Sequence, residues 1–338
     1  MAERLDNFPN FFFKNFLKKI KQEDFITYPS YGEYKELIDK IAKHNKCKPT
    51  NIYLDTGSDA CIRTLIQLTC GKESNIVAST PSFPMYSVYA KGFGTNSIKV
   101  KYNLDRSLPV SKILKYTNKK TRLVILANPN SPYGDYKNKN EINELAFALK
   151  KKNIILLIDE AYVEFSPGSI VKLIKTYKNL LVSRTFSKAW GAAGCRVGYI
   201  IGNKEIIDSL LNIQLTFPLT CVSVKFVNYL LNHKNFIKSH VNKVKKDRDK
   251  LCDLLEKNGF DVLRSHTNSI HFHQKKGNNS KPFKILNKHG VAFKKGTSIG
   301  TPIKVIGDNR KTWIRISVGS NIYNLPYIKE IIRSGKKI

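Results

Sequence analysis

Six short apolar runs recur along the chain, each ending in polar or glycine-bearing residues: NIYLDTG (51–57), NIVAST (75–80), TRLVILANPN (121–130), NIILLIDEAY (153–162), NLLVSRTFS (179–187) and VGYIIG (197–202). Amphipathic stretches and turn signals separate them. Buried strands alternating with helices predict an α/β fold with a largely parallel sheet covered on both faces. In such sheets a ligand lies beyond the carboxyl ends of the strands, which is where these polar run ends would gather. After about residue 225 the texture changes to a lysine-rich helical stretch, Lys225 to Lys257, followed by short strands around SIHFH and TWIRISVG. That pattern predicts a large domain over 45–224 and a smaller α+β domain over 225–338. The N-terminal segment 1–44 is expected to pack on the smaller unit. Its stretch NFFFKNFLKKI sets Phe12, Phe13, Phe16, Leu17 and Ile20 at helical spacing, which reads as a docking helix rather than a membrane-surface helix or a signal peptide.

Composition narrows the class. A chain of 338 residues that is 41% hydrophobic is long and apolar enough to bury a sizeable core. The longest apolar runs, such as IILLI at 154–158, fall far short of the roughly twenty residues that span a bilayer, so the chain reads as soluble. The cysteines at 47, 61, 70, 195, 221 and 252 form no CxxC pair, which favours reduced thiols and a cytoplasmic setting. The histidines do not cluster; His271 and His273 share one face of a predicted strand, where packing is the usual role, and metal catalysis is not expected. The balance of 58 basic to 26 acidic residues gives a formal charge of +32. The lysines are scattered rather than striped and no nucleic-acid-binding motif accompanies them, so the reading is a solvated basic surface suited to anionic small molecules, without nucleic-acid or membrane partners.

Several run ends carry chemistry. In DTGSDACIRTLIQL the turn Gly57-Ser58-Asp59 opens an amphipathic helix, so its amides and dipole face the strand end; a plain N-cap is the competing explanation. In LLIDEAY, Asp159 ends a buried strand, where an ionised carboxylate needs a partner such as a protonated ring nitrogen, or else caps the next helix. Tyr162, three residues on, is placed to donate to a ring oxygen. Asn130 and Ser131, in ANPNSPYG, either face a ligand or make the turn. In SRTFSKAWGAAGCRVGY, Lys188 stands between Thr185 and Ser187 on one side and Arg196 on the other. An anion cradle, an acid for a ring nitrogen, a phenol and an amine nucleophile together are what pyridoxal phosphate bound through a Schiff base requires.

The ordered set YP, GSD, PxF, NPNxPxG, DEAY, SKxxxxxGxRxGY and RISVG resembles that of the class I and II aminotransferases of the aspartate aminotransferase fold, most closely the histidinol-phosphate aminotransferase group. The resemblance runs from about Leu5 to the C-terminus. It implies a fold type I transferase with a mainly parallel seven-stranded sheet, active as a homodimer with its sites at the interface. It implies further that Lys188 holds pyridoxal 5'-phosphate covalently and then shuttles a proton. Arg196, Thr185, Ser187 and the amides of Ser58 and Asp59 would bind the phosphate, Phe83 would stack on the ring, and Tyr28 would reach the neighbouring subunit's phosphate. Arg315 would clamp a substrate carboxylate. Two positions depart from the pattern. Ser131 stands where the family has an asparagine on the ring oxygen, and Lys294 where histidinol-phosphate enzymes have an arginine. The expected activity is transfer of an amino group from a donor such as glutamate to a small, possibly phosphorylated keto substrate, the alternative being decarboxylation of phosphoserine or phosphothreonine.

Overall fold

A computed structural model of the chain describes residues 10–103, 105, 107–275, 280–290, 303–305 and 308–335. All six apolar runs are strands: β1 (Ile52–Asp55), β2 (Asn75–Thr80), β4 (Thr121–Ala127), β5 (Ile155–Asp159), β6 (Leu180–Thr185) and β7 (Gly198–Ile201). A seventh, β3 (Asn96–Lys101), was not evident in the sequence. Its NSIKVK carries alternating lysines because it is an edge strand with Val100 as its one fully buried side chain. The sheet order is β1-β7-β6-β5-β4-β2-β3, with every pair parallel except those made by β7. The fold is thus α/β with a mainly parallel sheet between helices, as the run pattern predicted. Apolar side chains pack on both faces, with Leu156, Ile158, Leu180 and Val182 in one cluster and Leu123, Ile125, Leu157 and Leu181 in the other.

A second sheet, of order β10-β11-β9-β8, is wholly antiparallel and consists of β8 (Phe260–Leu263), β9 (Ser269–Gln274), β10 (Ile303–Val305) and β11 (Asp308–Ser317). The predicted helix Lys225 to Lys257 is two helices, Cys221–Asn232 and Lys234–Lys257. They break at His233, whose backbone leaves the helical region and whose ring Nδ1 lies 2.7 Å from the Tyr229 carbonyl. The N-terminal helix Asn10–Leu17 docks on the first of these through Phe12 on Tyr229 (4.9 Å between centroids) and Phe16 on Phe226 (4.7 Å). Phe13, 37% exposed, also stacks on Phe226 (5.7 Å), and Leu17 of the same stretch stays exposed. No helix among the described residues is long and apolar enough to cross a membrane.

Candidate active site

The carboxyl ends of β1, β5, β6 and the turn after β6 bring together most of the residues singled out in the sequence. The helix Gly57–Thr69 begins directly after β1, and its N-cap residue Thr56 makes no side-chain capping bond because its hydroxyl donates to the Pro218 carbonyl at 2.6 Å. The Asp59 carboxylate accepts from the Tyr89 hydroxyl at 2.6 Å. Neither Thr56 nor Asp59 caps the first turn with its side chain, and the helix start with its dipole is suited to an anion. Arg196 stands over the same turn: a Cβ placed on Gly57 would lie 2.9 Å from its Nη2. Gly57 has φ +84° and Arg196 has φ +51°, both in the left-handed region, so local backbone conformation sets this close approach. On the other side a Cβ on Gly198 would lie 1.9 Å from the Ser58 nitrogen, so only a bare backbone lets β7 pass the turn.

Asp159 is 6% exposed, and its two carboxylate oxygens are held differently. Oδ2 accepts from the Tyr86 hydroxyl at 2.6 Å, while Oδ1 accepts from Ser183 Oγ at 3.1 Å and the Ala161 amide at 3.2 Å. The amide belongs to the turn after β5 and not to the next helical turn, Val163–Phe165, whose N-cap is Tyr162 with no side-chain capping bond, so Asp159 does not cap a helix and its bonds orient the carboxylate instead. Burial pushes its pKa up, against the pull of Tyr86, Ser183, Ala161 and the Lys188 amine. A buried carboxyl with so little compensating charge is suited to receive a cationic N–H from a ligand. Lys188 Nζ lies 5.2 Å from the centre of the Tyr162 ring. Thr185 Oγ1 accepts from the Ser187 amide at 3.1 Å and bonds to the Val197 carbonyl at 3.4 Å, which shapes the turn ahead of the lysine. Phe83 is 37% exposed and packs edge-on to Tyr86, with 5.4 Å between centroids.

Arg315, on β11, reaches the same region from the second sheet. Its Nη2 donates to Ser131 Oγ at 3.3 Å and its Nε to Ser269 Oγ at 3.2 Å. Ser131 is thus in contact with the arginine predicted to hold substrate, while the neighbouring Asn130, 0% exposed, donates to the Pro81 carbonyl and Tyr102. Tyr28 lies apart from this cluster, 76% exposed and stacked on Phe217 at 4.7 Å. Lys294 lies outside the described residues. Tyr86 and Ser183 were missed from sequence. The tyrosines of MYSVYAKG fall three apart on one helical face behind Phe83, and Ser183 is the residue opposite Asp159 in the β5–β6 register.

The family model for aminotransferase class I and II matches residues 7–332. The chain belongs to that family. A histidinol-phosphate aminotransferase from Sulfurisphaera tokodaii is 32% identical over 97% of this chain and 88% of its own length. Among solved structures, the histidinol-phosphate aminotransferase from Clostridium acetobutylicum superposes with a TM-score of 0.83 at 23% identity, over 100% of this chain and 98% of that one. That from Sinorhizobium meliloti, solved in complex with pyridoxal-5'-phosphate, has a TM-score of 0.81 at 22% identity, over 99% and 88%. The chain is a fold type I, pyridoxal-phosphate-dependent aminotransferase, and the residues at the strand ends fit such a cofactor. The uncapped helix start with its arginine suits a phosphate, and the under-compensated Asp159 suits a protonated pyridine.

Proposed function

We propose that this aminotransferase moves an amino group between a glutamate-like donor and a small phosphorylated keto substrate of the histidinol-phosphate type, with pyridoxal 5'-phosphate held among Lys188, Asp159, Tyr162 and the Gly57–Asp59 turn. When bound, the cofactor supplies an electron sink next to the substrate's α-carbon. Every other task falls to the chain. The Lys188 amine anchors the cofactor and carries the proton to and from the α-carbon. Asp159, oriented by Tyr86 and Ser183, holds the pyridine nitrogen protonated, and the Tyr162 hydroxyl donates to the ring oxygen. The amides of Ser58 and Asp59, with Arg196, Thr185 and Ser187, take the phosphate, and Phe83 covers the ring. Arg315 clamps the substrate carboxylate, steadied by Ser269 and by Ser131, whose contact with the arginine replaces the ring-oxygen role its position implies. Lys294 is proposed to read the substrate's anionic end.

The observation that carries this reading is Arg315 reaching from the second sheet to Ser131 at the strand ends. An arginine held there grips a carboxylate in a fixed plane, which suits proton transfer and opposes the perpendicular carboxylate that decarboxylation needs. Support for a homodimer comes from the exposed apolar side chains near Tyr28, namely Phe25 (72%), Tyr31 (78%) and Leu215 (75%), which a second copy would cover while Tyr28 enters its site. The cysteines, all free in the structure, are in keeping with a cytoplasmic setting. The test is a single-turnover spectrum of the reconstituted enzyme. Glutamate should bleach the long-wavelength cofactor absorbance, and Lys188→Ala should abolish turnover while cofactor still binds non-covalently. Release of carbon dioxide from a phosphorylated amino acid, with no amino donor bleaching the band, would replace transfer by decarboxylation.

A further inference from the structure

Strands β5 and β6 stop pairing at Asp159 opposite Ser183, and both functional side chains lie beyond that point. Tyr162 follows Asp159 on one segment, and Lys188 follows Ser183 on the other. Two side-chain links continue where the ladder ends. The first is the buried Glu160–Arg184 pair, in which Nε and Nη2 donate to Glu160 Oε2 at 3.0 and 2.8 Å. The second lies past both functional residues: Trp190 Nε1 donates to Glu164 Oε1 at 2.9 Å. Trp190 is 3% exposed, so its indole N–H requires a partner, and Glu164 supplies it. The indole is fixed further by Phe186 (5.2 Å between centroids) and by the edge of His44 (5.3 Å) from the helix Tyr31–Asn45. The turn closes on itself as the Gly191 amide donates to the Lys188 carbonyl at 3.0 Å and the Ala192 amide to the Phe186 carbonyl at 2.9 Å.

We infer that the Glu164–Trp190 hydrogen bond is a positioning pair that sets the Lys188 amine against the Tyr162 ring. Tyr162 and Lys188 are bracketed between the last ladder pair on one side and this bond on the other. Glu164 lies two residues after Tyr162, and Trp190 two after Lys188. Neither touches the reacting atoms. Loss of the bond leaves the indole held by packing on Phe186 and His44 alone, so the lysine turn shifts and the amine drifts from the phenol without the sheet being disturbed. The inference rests on the assignment of Lys188 and Tyr162 above.

The test uses the pyridoxal-phosphate-loaded enzyme and the variants Trp190→Phe, Glu164→Gln and Trp190→Phe/Glu164→Leu. The readouts are the pH midpoint of the long-wavelength absorbance, kcat, KM and Tm. Trp190→Phe keeps the ring and loses the donor. It should lower kcat about tenfold with KM within about twofold, and move the absorbance midpoint by about half a pH unit, because small misplacements of a reacting group cost rate steeply. Glu164→Gln keeps an acceptor and should match wild type in midpoint and kcat. The double variant removes the link without leaving an orphaned carboxyl, and should keep the defect in midpoint and kcat even where Tm recovers. A Trp190→Phe enzyme with wild-type midpoint and kcat overturns the proposal, as does a double variant that regains them or a Glu164→Gln enzyme as impaired as Trp190→Phe. If wild type itself forms no band that borohydride reduces onto Lys188, the site assignment falls and takes this inference with it.

Discussion

Gly198→Ala is the substitution whose effect the geometry states most directly. Gly198 pairs with Asp55 on one side and Thr185 on the other, and it is not among the residues of positive φ, so alanine meets no backbone penalty there. The obstacle is contact: the new Cβ would lie 1.9 Å from the Ser58 nitrogen, 2.3 Å from the Gly57 carbonyl carbon and 2.8 Å from the Gly57 Cα. Ordinary contact starts at 3.4 Å, so the shortfall is 3.4 − 1.9 = 1.5 Å. All three atoms are backbone, and no rotamer change relieves them. Either β7 or the Gly57–Ser58 turn must move by a distance of that order. Overpacking of this kind costs about 1–3 kcal/mol of stability. The larger consequence is for the anion cradle, because an amide displaced that far no longer bonds a phosphate oxygen. One charge-assisted hydrogen bond is worth roughly 1.5–3 kcal/mol, or a loss of roughly ten- to hundredfold in affinity. Titration of the cofactor-free variant with pyridoxal phosphate, followed by absorbance, reads the effect, with inorganic phosphate as a competitor to isolate the phosphate contribution. A folded Gly198→Ala protein that binds pyridoxal phosphate within twofold of wild type would refute the assignment of this turn.

Arg315→Lys should weaken the amino donor by roughly 1.5–3 kcal/mol, since an ammonium cannot reproduce the guanidinium fork, and this appears as a raised KM for glutamate in steady-state kinetics. Because Tyr28 is proposed to complete the neighbouring subunit's site, sedimentation at assay concentrations should show a dimer, and a fully active monomer would contradict that role. His44 is pushed down to about 4 by burial, and by the nearby positive charges of Arg184 and Lys234. The unfolded chain therefore binds more protons than the folded one between about 4 and the ordinary histidine value of about 6.5, and stability falls as pH drops through that window. Denaturant unfolding at pH 7 and pH 5 should show a smaller acid loss for His44→Asn than for wild type.

What the sequence determined by itself was the order of buried strands and which residue types stand at their ends. An apolar run buried on both sheet faces announces itself without any partner being known, which is why β1, β2, β4, β5, β6 and β7 were legible while the half-exposed edge strand β3 was not. Spacing along one segment likewise singled out Lys188 with Thr185, Ser187 and Arg196, and the Asp159–Tyr162 pair, as candidates. Tertiary structure decided everything that depends on segments far apart in the chain. Tyr86 and Ser183 reach Asp159 across 73 and 24 residues, and Arg315 reaches Ser131 across 184. No local pattern encodes such contacts, because each is fixed by strand order and register rather than by neighbouring residues. The same holds for Gly57 and Gly198: as letters they are two glycines among many, and only the close passage of β7 beside the first turn of a helix shows why a side chain at either position has no room.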